Sequence, residues 1–175
     1  MPLRDAGDML RVGLISDTHG LLRPEATAFL RGSDHIVHGG DIGAPSILEQ
    51  LTSIAPVTAV RGNNDTGPWA ESLAEAEFLQ VGAIVVYAIH DLAQLSIDPA
   101  SAGVRVVVSG HSHKPLITER DGVLYINPGS SGPRRFKLPV AVAELIVDGA
   151  SVSARVVELD RGNSPQPLKS DSAVS

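Results

Sequence analysis

Short apolar runs that break off into polar clusters set the rhythm of the first half of the chain. From Met9 the sequence reads Met-Leu-Arg-Val-Gly-Leu-Ile-Ser and then turns polar at Asp17-Thr18-His19-Gly20. That is the pattern of a buried strand delivering polar groups at its carboxyl end. Pro24 to Arg31 predicts a short helix, with proline in the first turn, apolar Phe29 and Leu30, and Gly32 as the stop. Asp34 to His38 is a second strand, ending in Gly39-Gly40-Asp41. Pro45 to Ile54 has helical spacing through Ile47, Leu48 and Leu51, and Val57 to Val60 gives a third strand that empties into Arg61-Gly62-Asn63-Asn64-Asp65. The result is a βαβαβ repeat.

After Trp69 the texture becomes strand-rich. Phe78 to Val81 and Ala83 to Ile89 flank Gly82, and further strands are expected at Val104 to Val108, Leu116 to Glu119, Val123 to Ile126, Val140 to Val147 and Val152 to Val157. Asp121-Gly122 and Asp148-Gly149 stand between apolar runs, a strong short-range hairpin signal, so this half is expected to be antiparallel. From Arg161 onward almost nothing apolar remains to bury. The expected organisation is one domain over 1–160 followed by a mobile polar tail over 161–175.

Composition narrows the function. A length of 175 residues with 43% hydrophobic content suits one substantial core. The net charge of −6 argues against long nucleic acids, whose binding leans on Lys and Arg, but leaves small phosphorylated substrates open if metal ions supply positive charge locally. The absence of cysteine removes thiolate metal sites and cysteine nucleophiles. The longest apolar run, Ala83 to Ile89, is far below the ~20 residues that span a bilayer, so the expectation is a cytoplasmic protein with no membrane partner, compatible with a homo-oligomer.

Five polar clusters follow predicted strands: Asp17-Thr18-His19, Gly40-Asp41, Gly62-Asn63-Asn64-Asp65, His90-Asp91 and Gly110-His111-Ser112-His113. Carboxyl ends of strands are where α/β sites assemble. Taken singly, most have plainer readings: a capping carboxylate, a turn, a loop, a half-buried histidine. The His-x-His pair is more specific, because two imidazoles so close repel if both protonate. Together, Asp17, His19, Asp41, Asn63, His90, His111 and His113 offer two carboxylates, four imidazoles and one amide oxygen. This mixed set suits manganese, iron, zinc or nickel, and seven donors fit two ions sharing a carboxylate better than one.

Taken in order, Asp-x-His, Gly-Asp, Gly-Asn-x-Asp, a lone His and Gly-His-x-His resemble the calcineurin-like metallophosphoesterase superfamily. The His38-Gly39-Gly40-Asp41 and Asn127-Pro128-Gly129-Ser130 segments are similar to its small single-domain bacterial and archaeal phosphodiesterase branch. The resemblance runs from Val12 to about Glu158. It implies a four-layer αββα sandwich with mixed sheets. It further implies that Asp17, His19 and His113 hold one divalent ion, Asn63, His90 and His111 the other, and that Asp41 bridges them. The expected activity is hydrolysis of small phosphate esters, most of all phosphodiesters, by in-line attack of a metal-bridging hydroxide, with Mn2+ first among the candidate cofactors. A non-catalytic binding scaffold, as in the retromer small subunit, shares the fold and is the alternative; such a member loses part of the ligand set, whereas all seven positions are filled here. A serine hydrolase lacks support, since no Gly-x-Ser-x-Gly is present.

Two departures stand out. His90 is followed by Asp91 and Leu92 where this branch usually has Gly-His, and Asn64 occupies a position where larger members carry a histidine that assists the leaving group. Asn64, Asp65 and His38 are the candidate catalytic residues, Asn64 and Arg134 the candidate substrate contacts, and His35 is expected at the surface.

Overall fold

Aliphatic alternation builds the framework. In the computed structural model, which describes residues 9–135, 137–159 and the backbone of 166–167, Met9–Ile15 forms β1. Its inward residues Leu10, Val12 and Leu14 are fully buried in the main core. Gly13 faces the other way, where a Cβ would run into the side chains of Leu30 and Ser33. The missing side chain lets α1 (Pro24–Leu30) lie close against the strand. β2 (His35–His38), α2 (Pro45–Thr52) and β3 (Val57–Ala59) complete the βαβαβ unit, with β1, β2 and β3 all parallel.

The first sheet continues on the other side of β1 through strands from the far end of the chain. β9 (Ala141–Asp148) pairs antiparallel with β1, β10 (Ser151–Glu158) with β9, and the two-residue β11 (Gln166–Pro167) with β10. Apart from β11, the tail predicted from Arg161 lies outside the described residues.

The second sheet has the order β4-β5-β6-β8-β7, from β4 (Ala76–Val81), β5 (Ile84–Ile89), β6 (Val106–Val108), β7 (Leu116–Arg120) and β8 (Val123–Asn127). Here the antiparallel expectation is corrected. The Asp-Gly hairpins form where expected, at β7–β8 and β9–β10, but β6 runs parallel to both β5 and β8. A hairpin signal reports only on neighbours in sequence, and these two pairings are made across longer crossovers.

The two sheets pack face to face over Val86, Val106, Val108, Leu124, Ala143 and Leu145 among others, nearly all aliphatic. α1, α2 and the unpredicted four-residue α3 (Pro68–Glu71) cover the outer face of the first sheet. Over the second sheet the outer layer is thin. Leu92, Leu95 and Ile97, from a 3-10 turn (Leu92–Gln94) and the coil after it, pack on Tyr87, Val107 and Tyr125. Proline at 99 and glycine at 103 limit helix formation in that crossover. The architecture is therefore the expected mixed α/β sandwich, with helices concentrated on one side.

His35 is corrected from surface to interior. β2 lies between β1 and β3, with helices on one face and the second sheet on the other, so all four of its residues are buried. The His35 ring meets this by hydrogen bonding Thr58 Oγ1 at 2.8 Å.

Candidate metal centre

Three parallel strands of each sheet end at one edge of the sandwich, and their following loops are stitched together by main-chain hydrogen bonds. Asp17 N–H donates to Gly40 O (3.0 Å), His19 N–H to Asp41 O (2.9 Å) and Gly110 N–H to His90 O (2.9 Å). His111 N–H donates to Asp17 Oδ2 (3.2 Å), tying the two sheets together.

The backbone at these positions is unusual. Asp17, His19, Asp41, His111 and His113 all adopt left-handed φ, between 48° and 72°, and the sixth non-glycine residue doing so among those described, Asp121, belongs to a hairpin. Left-handed backbone disfavours residues with a Cβ and persists where surrounding structure imposes it. Five of the seven candidate ligands are thus held in strained conformations. At the same edge, a Cβ on Gly62 would coincide with the backbone and carboxylate of Asp41. That glycine lets the Asn63 loop close onto Asp41.

All seven side chains form one connected cluster. Asp17 Oδ1 lies 3.4 Å from His113 Nε2, 3.9 Å from His19 Nε2 and 4.0 Å from His90 Nε2. Asp41 Oδ2 lies 3.3 Å from His90 Nε2 and 3.8 Å from His19 Nε2. Asn63 Oδ1 sits 3.0 Å from His90 Nε2 and 3.1 Å from His111 Nδ1. Two triads, Asp17–His19–His113 and Asp17–Asp41–His90, have donor atoms mutually within 4.8 Å. Asp17, like Asp41, stands between the two halves of the cluster.

The donor set fits a cation. Asp17 Oδ1 is buried without any hydrogen-bond partner, although three imidazole nitrogens converge on it, while its other oxygen accepts from Ser16 Oγ at 2.7 Å. A buried carboxylate oxygen left unpaired is costly, and a divalent ion among these nitrogens would satisfy it. His90 is oriented for the same purpose: its Nδ1 contacts Gly39 O at 2.7 Å, where it can only donate, so in the neutral ring Nε2 presents a lone pair to the cluster. His19 Nε2 and His113 Nε2 lie 3.4 Å apart.

Electrostatics bind Asp41 to His90. Burial alone would raise the Asp41 carboxyl, but contact with the His90 ring and the Asn64 N–H holds it down at about 2. Burial correspondingly opposes charge on His90, yet Asp41, Gly39 O and Asp17 raise its pKa. A proton on His90 occupies the nitrogen a metal would use, so protons and metal compete there.

Three candidate catalytic residues are firmly engaged. Asp65 Oδ1 accepts from the N–H groups of Ile42 (2.9 Å) and Gly43 (3.0 Å), and Oδ2 from Gly62 N–H (2.9 Å). This carboxylate clamps the Asp41 and Asn63 loops together. His38 is fully buried; Nδ1 accepts from Gly40 N–H (3.0 Å), which leaves Nε2–H to donate to Thr18 Oγ1 (3.0 Å), itself a donor to Ile42 O (2.8 Å). Both side chains hold their loops in place through these bonds. Asn64 is exposed beside the cluster, its N–H and Nδ2 donating to Asp41 at 2.8 and 3.2 Å.

Burial pushes His38 down to about 4, against the pull of Asp17 and Asp65. The folded state keeps His38 neutral at pH values where the unfolded chain, titrating near ~6.5, takes up a proton. Stability from this group is therefore present above pH ~6.5 and lost as pH falls toward 4, by up to about 3 kcal/mol. Urea midpoints measured from pH 7 to 5 should fall less steeply for His38→Gln than for the unsubstituted protein. Parallel profiles would mean that His38 already shares its unfolded titration.

Support residues that sequence reasoning gave no role include Ser16, Ser130 and Asn127. Ser130 Oγ donates to Asp17 O (2.9 Å), and Asn127 Nδ2 donates to Gly110 O (2.9 Å) and Ser112 Oγ (3.1 Å), fixing the Gly-His-x-His turn. The Asn-Pro-Gly-Ser run was the available signal, since an Asn at a turn bonds nearby main chain. Arg134 is exposed on the loop that follows, whose Gly132 packs on the main chain of Asp17 and Thr18.

Residues 10–149 match the model of the calcineurin-like phosphoesterase superfamily domain. The chain belongs to the calcineurin-like phosphoesterase superfamily. Among its relatives, a probable metallophosphoesterase of Methanothermobacter thermautotrophicus is 38% identical over 158 residues, covering 83% of this chain and 91% of that one. The phosphodiesterase YfcE of Escherichia coli K12 is 28% identical over 177 residues, covering 83% and 92%. In fold, Vacuolar Protein Sorting 29 from Cryptosporidium parvum superposes with a TM-score of 0.78 at 22% identity, covering 91% of this chain and 96% of that one. Membership in this calcineurin-like superfamily, with relatives so named, supports a metal-dependent phosphoric ester hydrolase. No helix among the described residues is long and apolar enough to cross a membrane.

Proposed function

We propose that this chain is a cytoplasmic dinuclear phosphodiesterase acting on small phosphate esters. Asp17, His19 and His113 would hold one divalent ion, Asn63, His90 and His111 the other, with Asp41 between them. The observation that carries this is the buried, unpartnered Asp17 Oδ1 with three imidazole nitrogens facing it. When bound, a metal pair supplies an activated water and positive charge for the phosphoryl oxygens, and the mixed nitrogen and oxygen donors favour Mn2+ over calcium or magnesium.

The protein's part is to hold geometry. Asp65 and His38 fix the loops that carry Asp41 and Asn63, and Asn127 fixes the one that carries His111 and His113. Asn64, exposed at the rim, can donate a hydrogen bond to a phosphoryl oxygen, and Arg134 is a candidate second contact. The scaffold alternative draws on the fold likeness to Vacuolar Protein Sorting 29. A complete donor set with an unspent carboxylate oxygen favours chemistry instead. Metal content of protein purified without added metal, together with a screen of phosphomonoesters and phosphodiesters, tests the proposal. Metal-free protein that stays inactive with every candidate ion would overturn it.

Leaving-group chemistry follows from the same residues. Asn64 is an amide and cannot protonate a departing oxygen, while Asp65 and His38 are committed to main chain and Thr18. The leaving group must depart as an anion, so aryl diesters should be hydrolysed well and simple alkyl diesters poorly. A rate nearly independent of leaving-group pKa across such a series would reveal an acid elsewhere in the site.

A further inference from the structure

Asp91, the residue that departs from the usual glycine of this branch, lines two cavities. One, of about 370 Å³, is lined by Arg61, Asn63, Tyr87, His90 and Gln94. The other, of about 400 Å³, is lined by Leu92, His111, Pro115, Leu116 and Tyr125. Both fall within the ~300–1,000 Å³ of small-molecule sites. Asn63 Oδ1 touches His90 on one side and His111 on the other. Each cavity is therefore bordered by ligands of the same half of the candidate metal centre, Asn63 and His90 in the first and His111 in the second.

We propose that the Leu116 cavity receives an apolar, ring-bearing arm of a phosphodiester whose phosphate sits at the candidate metal centre. The proposal rests on the phosphodiesterase reading above. A monoester carries one organic arm and a diester two, and two cavities that each border the same half of the candidate centre match the diester. Their chemistry differs. The first holds the Arg61–Glu75 ion pair (3.2 Å) and the Gln94 amide, suited to a hydroxylated arm. In the second, the Asn127 amide is already spent on Gly110 O and Ser112 Oγ, so this polar lining residue has no unused donor in its amide group. Leu116 is 49% exposed there, an apolar side chain on an edge strand beside an otherwise polar centre. A flat apolar ring would cover it, and Lys114, which also lines the cavity, can meet the phosphate.

The test uses two diesters that share p-nitrophenolate as leaving group and differ in the retained arm, phenyl in one and methyl in the other. Each kcat/KM is divided by the uncatalysed rate of its own substrate. The unsubstituted protein should prefer the phenyl diester by about tenfold or more, the discrimination a well-filled apolar pocket gives. Leu116→Asp should erase that preference through KM while methyl diester turnover stays within about twofold. Leu92→Ser serves as a second variant. Equal kcat/KM for both substrates in the unsubstituted protein, or an equal loss on both in Leu116→Asp, would overturn the proposal and leave the metal-site reading standing. If neither diester is hydrolysed with Mn2+, Zn2+, Ni2+ or Fe2+, the phosphodiesterase reading fails, and phenylphosphonate titration then judges the cavity alone. Shifts of the Leu92 and Leu116 methyl resonances that vanish in Leu116→Asp support it. Unmoved resonances overturn it.

Discussion

Asp41→Asn is expected to lower phosphodiester turnover by about a thousandfold, comparable to removing a principal electrostatic group from an active site. Asp41 Oδ2 faces two imidazole nitrogens, and its carboxylate is held ionised by the His90 ring and the Asn64 N–H against the cost of burial. An amide carries no charge to neutralise two cations and turns an NH2 group toward nitrogens or metal. The fold should survive, because an asparagine carbonyl can still accept the Asn64 N–H that Oδ1 accepts at 2.8 Å. The measurement is kcat at saturating metal, alongside circular dichroism and a urea midpoint. Near-normal kcat in a folded Asp41→Asn protein would remove Asp41 from the centre of the mechanism.

Stripping the metal should act on activity and stability together. Ions that bind the folded state and not the unfolded one stabilise it by about 2.7 kcal/mol at a hundredfold excess over Kd. For a chain of this size that corresponds to roughly 5–10 °C in Tm. Chelation followed by dialysis should abolish hydrolysis and lower Tm by that amount, and adding Mn2+ should restore both. The effect should shrink in Asp17→Asn, which weakens the carboxylate whose Oδ1 has no other partner. Full activity after exhaustive chelation would point to a metal-free mechanism.

The periodic parts of this structure were legible from the sequence. β1, β2, β3, β5 and β8–β10, with α1 and α2, form within a residue or two of where apolar runs, prolines and glycines place them. The seven polar residues were legible as one set from the order of their motifs; Asp17, Asp41 and Asn63 converge because β1, β2 and β3 are parallel and end at one edge, and His90, His111 and His113 because β5 and β6 are parallel as well. Pairing between distant strands was not legible. The alignment of β1 with β9 joins residues such as Val12 and Leu145, and nothing local in either segment records it. The loop contacts of His38 and Asp65 were hidden for a related reason. Their polarity suggested chemistry, but their partners are main-chain groups of loops that only the folded chain brings near. The left-handed backbone at Asp17, His19 and His111 runs against local preference, and strain of this kind is where sequence propensity correctly fails.

That strain also bears on how such a protein drifts. A non-glycine residue in left-handed backbone costs on the order of 1 kcal/mol relative to glycine. His111, 45% exposed in its side chain, has little packing to set against it. His111→Gly is therefore expected to leave the metal-free protein slightly more stable while removing a donor. Selection for stability and selection for the donor set pull in opposite directions at these positions. In a lineage released from its substrate, the ligand loops would erode toward glycine before the aliphatic sandwich changed, and what survived would be an intact fold available for contacts of another kind.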